Sequence, residues 1–373
     1  MRRLQKKLIL DDLSKKMVFI SGPRQVGKTW LAKEVLPEYQ NPVYLNFDSE
    51  EDRDIIINRS WLPKTDLLVF DELHKMDKWK NYLKGVYDTK DNKMHILVTG
   101  SARLEIFRQS GDSLTGRFFR HRLLPFSPAE LKGKKTFGDI DRLINRGGFP
   151  EPLLVDEDVD ARRWRNQYID GLIRTDILDF EKIHDFKAIQ MVLTLLRSRV
   201  GSPVSYMSIA QDVGIAPNTV KKYIEIFESL YIIFRVTPYS KNIARSILKE
   251  PKIYFFDTGL VSGDEGARFE NFIALNLLKH CYGLQDYEGR SFELYYLRTK
   301  EKKEIDFCLV EDDMPVKIIE VKNNTSTLSK TIVHFNRKYG IPGMMLIRHM
   351  RNEKIEQGIE FRKADSFLSE LYM

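Results

Sequence analysis

"MVFISGPRQVGKTWLAKEVL", residues 17–36, decides how the N-terminal part of the chain folds. It reads as a short buried strand, a Gly-bounded loop and an amphipathic helix. The loop "GPRQVGKT", Gly22 through Thr29, fits the spacing G-x-x-x-x-G-K-[ST]. Gly22 and Gly27 let backbone N–H groups converge on a phosphate at the positive end of the helix that begins near Lys28. Lys28 then reaches the β- and γ-phosphates, and the Thr29 hydroxyl ligates magnesium. Gly22, Pro23, Arg24, Gln25, Val26, Gly27, Lys28, Thr29 and Trp30 are the candidate ATP-binding residues. The competing reading is a chance Gly-Lys-Thr turn, which does not call for a strand before it and a helix after it.

Hydrolysis of a bound nucleotide also needs an acid behind a second buried strand. "DLLVFDEL" supplies Asp71, to hold magnesium through water, and Glu72, to polarise the attacking water. "PVYLNFD" (42–48) reads as a further strand with Asp48 at its tip, and "HILVTGSA" (95–102) as a fourth. Thr99 and Ser101 at the end of the latter are suited to sensing the γ-phosphate or positioning water. Four buried strands alternating with helices imply an α/β fold with a parallel sheet and nucleotide at its C-terminal edge. In "SLTGRFFRHRLLPFSPAEL" (113–131), Arg117, Arg120 and Arg122 are candidate arginine fingers, Arg117 favoured because it follows Gly116 in a tight context. The alternative for Arg120 and Arg122 is a basic surface strand.

"GPRQVGKT", "LLVFDE", "VTGSA", "LTGRFFRHRLLPFSPAEL" and "GGFPEPL" (147–153) together resemble the AAA+ ATPases of archaea and bacteria. Members join this module to a C-terminal domain of unknown function, and the similarity runs nearly end to end. The resemblance implies a P-loop fold with Lys28, Thr29, Asp71 and Glu72 in the roles above.

Further along, "FKAIQMVLTLLRSRVG" places Ile189, Val192, Leu193 and Leu196 on one helical face. "SYMSIAQDVGIAPNTVKKYIEIFESLYIIFRV" then reads helix, Gly214 turn, helix, strand, with Pro217 in the first turn of the second helix. This is helix-turn-helix spacing. The basic segment 237–256 would form the wing of a winged helix. Residues 186–250 hold nine Lys or Arg against four acids, a hint of a polyanion partner. On a DNA duplex, Asn218, Thr219, Lys221 and Lys222 would face the groove, with Lys241 and Arg245 on phosphates. Winged helices also serve as protein-interaction or packing modules, so the reading stays open between the two.

The last third carries "GARFENFIALNLLKH" (266–280), whose Phe269, Phe272, Ile273 and Leu277 make an apolar helical stripe beside Glu270. "FELYYLRTKEKKEIDFCLVEDDMPVKIIEVKNN" (292–324) reads as three strands bearing Asp306, then Glu320 and Lys322 on one face. An acid on a helix, an Asp on a strand and Glu-x-Lys on its neighbour is the arrangement of the PD-(D/E)XK nuclease superfamily. Glu270, Asp306 and Glu320 would then converge on magnesium, with Lys322 orienting the water. The same fold also persists where cleavage has been lost.

The expected organisation is an AAA+ P-loop domain at 1–160, a helical linker and winged helix at 161–256, and a restriction-endonuclease-like α/β domain at 257–373. The 373 residues suffice for two or three cores, and 42% hydrophobic with 30% charged residues is a globular composition. The basic N-terminus lacks the apolar run of a signal peptide, and two cysteines are too few for a zinc site or a disulfide framework. Together these point to a cytoplasmic ATPase using ATP and Mg²⁺, with DNA a candidate partner, a homo-oligomer if the finger acts in trans, and a nuclease-like C-terminal domain. The alternative is a nucleotide-dependent switch or regulator with protein partners and an inactive nuclease-like scaffold.

Overall fold

A computed structural model describes residues 3–100, 114–133, 139–177, 185–240, 250–299, 301, 303–324 and 327–373. The chain divides into two compact units, Met1–Leu124 and Pro125–Met373. The division comes earlier than the boundary expected at residue 160, because the helices from Pro128 onward pack with the second unit.

In the first unit the elements run α1 (Gln5–Leu13), β1 (Met17–Ser21), α2 (Lys28–Val35), β2 (Pro42–Asn46), α3 (Glu50–Asn58), β3 (Leu67–Asp71), α4 (Trp79–Thr89), β4 (His95–Thr99) and β5 (Phe118–Arg122). The strands form one sheet in the order β2-β3-β4-β1-β5, every neighbouring pair parallel. β1, β3 and most of β4 are buried, which is what a strand covered on both faces requires and why they read as unbroken apolar runs. Alternation sends Phe19, Phe70 and Val98 into one core with Ile56, Leu83 and Val86 of α3 and α4. α1 and α2 pack on β1 and β4. β5 is a fifth strand beyond the four expected, built from the basic stretch "FFRHR".

The second unit begins with α5 (Pro128–Leu131), α6 (Ile140–Arg146), α7 (Pro150–Leu154) and α8 (Asp158–Gly171). Then come α9 (Phe186–Arg197), α10 (Tyr206–Val213) and α11 (Pro217–Ser229), followed by β6 (Ile233–Val236) and β7 (Lys252–Phe255), an antiparallel pair. Gly214, with φ of +78°, turns the chain between α10 and α11, and Pro217 opens α11 as its missing N–H predicts. α12 (Glu265–Glu288), β8 (Phe292–Arg298), β9 (Glu304–Glu311), β10 (Met314–Lys322), α13 (Lys330–Tyr339), β11 (Gly343–Ile347), β12 (Lys354–Glu356), β13 (Ile359–Lys363) and α14 (Ala364–Glu370) complete it. Their six-stranded sheet runs β12-β13-β11-β10-β9-β8. β9 and β10 pair as an antiparallel hairpin, and α13 crosses over to bring β11 parallel to β10. Cys281 and Cys308 are free and buried.

The "GGFP" stretch is explained by packing. A Cβ on Gly148 would meet the Phe126 carbonyl oxygen at 2.3 Å, and one on Gly147 would meet Asp257 Oδ1 at 2.1 Å. Asp257 is buried and receives Arg165 Nε at 2.6 Å, while Arg165 also donates to the Arg146 carbonyl. Among the described residues no helix is long and apolar enough to cross a membrane.

Arg165→Met leaves the Asp257 carboxylate buried without its charge partner. We expect a loss of about 3–5 kcal/mol in urea unfolding, and a loss below 1 kcal/mol would show that water replaces the guanidinium.

Candidate active site

The phosphate loop leaves β1 at the C-terminal edge of the parallel sheet. Gly22 has φ of +148° and Gly27 +99°, and a Cβ on Gly22 would strike the Leu123 carbonyl oxygen at 2.1 Å, so glycine is required there. Gln25 also adopts a left-handed φ of +59°, which curls the loop over the start of α2. Lys28 is buried, and its ammonium donates to the carbonyls of Gly22 at 3.0 Å and Pro23 at 2.6 Å. Burial lowers its pKa to about 8 despite the attraction of Glu72 and Asp71. Trp30 is 45% exposed, a flat apolar surface one residue beyond Thr29.

Asp71 ends β3 in the same layer. Its Oδ2 accepts the Thr29 hydroxyl at 2.7 Å and the Tyr44 hydroxyl at 2.6 Å, and its Oδ1 accepts from the Thr99 hydroxyl. Parallel register puts Asn46, Asp71 and Thr99 level at the ends of their strands, so three strands deliver one polar cluster. Thr99 therefore holds the acid in place. Tyr44 was not among the expected residues; the alternation of "PVYLN" beside an acid-bearing strand was the available signal.

Glu72 follows with φ of +55°, a left-handed conformation unusual for glutamate. Its N–H donates to the Thr99 carbonyl at 3.2 Å and to Asp71 Oδ1 at 3.1 Å, which fixes the turn. Burial raises its carboxyl pKa, with Lys28 pulling the other way. His74 Nε2 stands 3.6 Å and Lys75 Nζ 3.9 Å from that carboxylate.

These residues fit a magnesium nucleotide. The Lys28 ammonium rests on loop carbonyls and points into the cradle, and Thr29 with Asp71 presents hard oxygen donors. Magnesium, when bound, neutralises charge on the β- and γ-phosphates. Lys28 would hold those phosphates, Thr29 and Asp71 would hold the metal, and Glu72 would orient water.

Arg117 lies away from the phosphate loop of its own chain. It precedes Phe118, which is level with Met17 at the start of β1, whereas the loop departs after Ser21, level with Arg122. The length of strand between them is about 13 Å. Its guanidinium instead makes two bonds to Asp88 of α4, at 2.8 and 3.1 Å. Parallel register thus removes Arg117 from its own phosphate loop and brings the backbone of Arg122, also buried, to that edge. Ser101 lies outside the described residues.

In the second unit, the face of α11 carries Asn218, Lys221 and Lys222 exposed and Thr219 half-buried. Three of the four acids counted in 186–250 are spent on nearby cations: Arg199 with Asp212, Arg235 with Glu228, and Lys221 with Glu225 at 3.9 Å. Lys241 and Arg245 lie outside the described residues.

Two of the three acids expected to share magnesium, Glu270 and Asp306, face a lysine. Lys252 of β7, 1% exposed, sets its ammonium 2.8 Å from Glu304, 3.3 Å from Glu270 and 3.8 Å from Asp306. The Tyr254 hydroxyl donates to Glu270 at 2.7 Å, and the Val321 N–H to Asp306 at 2.8 Å. Burial raises the Glu270 pKa to about 7, with Asp306 adding repulsion and Lys252 opposing. Glu320 pairs one oxygen with Lys322 at 3.1 Å, and its other oxygen is buried with no hydrogen-bond partner. Lys322 feels Glu320, Asp306 and Glu270, so the four expected residues do share one neighbourhood. Among the described residues, however, no group of three or more His, Cys, Asp or Glu is arranged to hold a metal. The expected donor set does not fit a metal as it stands, because two of its three acids, Glu270 and Asp306, face the Lys252 ammonium and the third, Glu320, pairs with Lys322. Lys252, Tyr254 and Glu304 were missed in the sequence; a lysine opening the buried run "KIYF" was the signal.

With this geometry in place, the first unit is recognisable as an AAA-type P-loop ATPase domain, and a model of the AAA domain matches residues 14–132. Two domains of unknown function, DUF8612 and DUF4143, match residues 138–266 and 265–366. An uncharacterized protein of Methanocaldococcus jannaschii is 25% identical over 347 residues, spanning 81% of this chain and 75% of its own. An uncharacterized protein of Mycobacterium tuberculosis is 24% identical over 329 residues, spanning 85% and 72%. Of solved structures, a Walker-type ATPase of Pyrococcus abyssi is similar at a TM-score of 0.47 and 14% identity, covering 70% of this chain and 95% of that one. The RuvB Holliday junction branch migration motor of Thermotoga maritima is similar at 0.33 and 16%, covering 62% and 87%.

Lys28→Met should abolish the ATP-induced rise in melting temperature while stabilising the nucleotide-free protein. A lysine pKa lowered to about 8 means the buried charge costs stability below that pH, and the cost fades as pH rises from 8 toward 10.5. The gain at pH 7 should be on the order of 1–3 kcal/mol, shrinking above pH 8; a gain independent of pH would refute the charge argument.

Proposed function

We propose that the chain is a Mg²⁺-dependent ATPase whose nucleotide state governs its engagement of DNA. The observation that carries the catalytic half is Asp71, held by Thr29, Tyr44 and Thr99 in front of the phosphate loop. In this reading Lys28 binds the β- and γ-phosphates, Thr29 and Asp71 bind magnesium, and Glu72 aligns the water that attacks the γ-phosphorus. The raised Glu72 pKa suits a group that must take up a proton as water attacks.

The DNA half rests on α10 and α11. Two helices joined at Gly214 and followed by the antiparallel β6–β7 pair support a winged helix-turn-helix reading, and the second helix exposes Asn218, Lys221 and Lys222. Buried Val220, Tyr223, Ile224 and Phe227 anchor its opposite face. The C-terminal elements α12-β8-β9-β10-α13-β11 follow the order of a nuclease-like core. The Lys252 ammonium between its acids favours a scaffold without cleavage.

Glu72→Gln should bind ATP as the wild type does and lose turnover by about 10²–10⁴-fold. Equal turnover in an ATPase assay removes Glu72 from the reaction.

Lys221→Ala with Lys222→Ala should weaken duplex binding at every sequence and reduce the slope of log affinity against log salt by about 2. Mobility shifts of a labelled duplex at several salt concentrations measure this. No shift by the wild type even at low salt would instead assign the helix-turn-helix to a protein partner.

A further inference from the structure

We propose that Lys252 is the resident cation of an acid cluster formed by Glu270, Glu304 and Asp306, an ammonium built into the chain against two of the acids that the nuclease-like reading assigns to a divalent metal. Three carboxylates from two elements meet it: Glu270 from α12, and Glu304 and Asp306 from β9. Glu304 and Asp306 are two residues apart on one strand and so present the same face. Their mutual repulsion, added to that of Glu270, is offset by the positive charge that Lys252 sets between them.

The chain is shaped to deliver that charge. Lys252 is the first residue of β7, and its backbone forms an isolated bridge with Pro203. The Val204 N–H donates to the Pro251 carbonyl at 2.9 Å, which fixes the strand's entry. Beside it Gly201, at φ of +78°, approaches so closely that a Cβ would meet the Glu270 carboxylate at 2.8 Å. That turn closes one side of the cluster. The ammonium also lies over the ring of Tyr296, 5.5 Å from its centre. The charge therefore sits among three acids, an aromatic face and a glycine turn, with 1% of the residue exposed.

The consequence is specific. A divalent ion and an ammonium cannot share this space, so the wild type should leave the cluster metal-free at any physiological Mg²⁺ concentration. Removing the ammonium while keeping the stem should turn the same carboxylates into a cation site of hard oxygen donors. The inference does not rest on the ATPase or DNA readings, and its test uses neither ATP nor DNA.

Mn²⁺ alone is titrated by calorimetry into the full-length wild type, Asp306→Asn, Lys252→Met, and Lys252→Met combined with Asp306→Asn. Subtracting Asp306→Asn from wild type cancels any weak binding at the phosphate loop. The expected result is identical titrations for wild type and Asp306→Asn. Lys252→Met should gain one Mn²⁺ equivalent, bound about tenfold or more tighter than any in wild type, and the double variant should lose it. A Mn²⁺ equivalent present in wild type and lost in Asp306→Asn overturns the proposal, as does a folded Lys252→Met that gains none. If Lys252→Met fails to fold, the wild-type pair decides, and Lys252→Arg should fold and give the wild-type titration. A Mn²⁺ equivalent gained by Lys252→Arg would also overturn it.

Discussion

A lysine ammonium taken out of water has to be met by oxygen, and both units of this protein are organised around that demand. In the first unit the oxygens are the backbone carbonyls of Gly22 and Pro23, which hold Lys28 ready over the phosphate loop. Carbonyl dipoles are a poor match for a full charge, and the pKa of Lys28 falls accordingly. In the second unit the oxygens are carboxylates, and despite the burial of Lys252 the surrounding acids raise its pKa. One ammonium is under-solvated and suited to take up phosphate. The other is fully answered and serves to bind elements together.

That contrast explains what the sequence disclosed and what it withheld. The phosphate loop, the acid pair after β3 and the parallel sheet follow from local patterns: glycine spacing, unbroken apolar runs and helices between them. Such patterns are written within a dozen residues, and the structure reproduces them. Arg117 lies away from its own phosphate loop because its place depends on register, which sets Phe118 against Met17 and not against Ser21. Nothing local to "TGRFF" encodes which end of the sheet it reaches.

The C-terminal acids illustrate the same limit more sharply. Lys322 feels Glu320, Asp306 and Glu270, and β9 and β10 pair as an antiparallel hairpin. The residue that changes their meaning, Lys252, stands 18 positions before Glu270 in sequence and belongs to a different sheet. It lies in the segment expected to form a basic wing, yet it is buried. A charged residue inside a buried run demands a partner, and here the demand identifies the partner set.

Asn271, the neighbour of Glu270, has a consequence of its own. Its side-chain amide accepts from the Phe255 N–H at 2.7 Å and donates to the Phe255 carbonyl at 2.9 Å, as a residue of an adjoining strand would. With the Pro203 bridge at Lys252, β7 thus has occupants along the side turned away from β6. A two-stranded ribbon is a ready template for addition of a stray strand from another molecule. Here the amide of Asn271 takes the Phe255 backbone groups that a further strand would otherwise pair, so the ribbon is closed at that residue without a third strand.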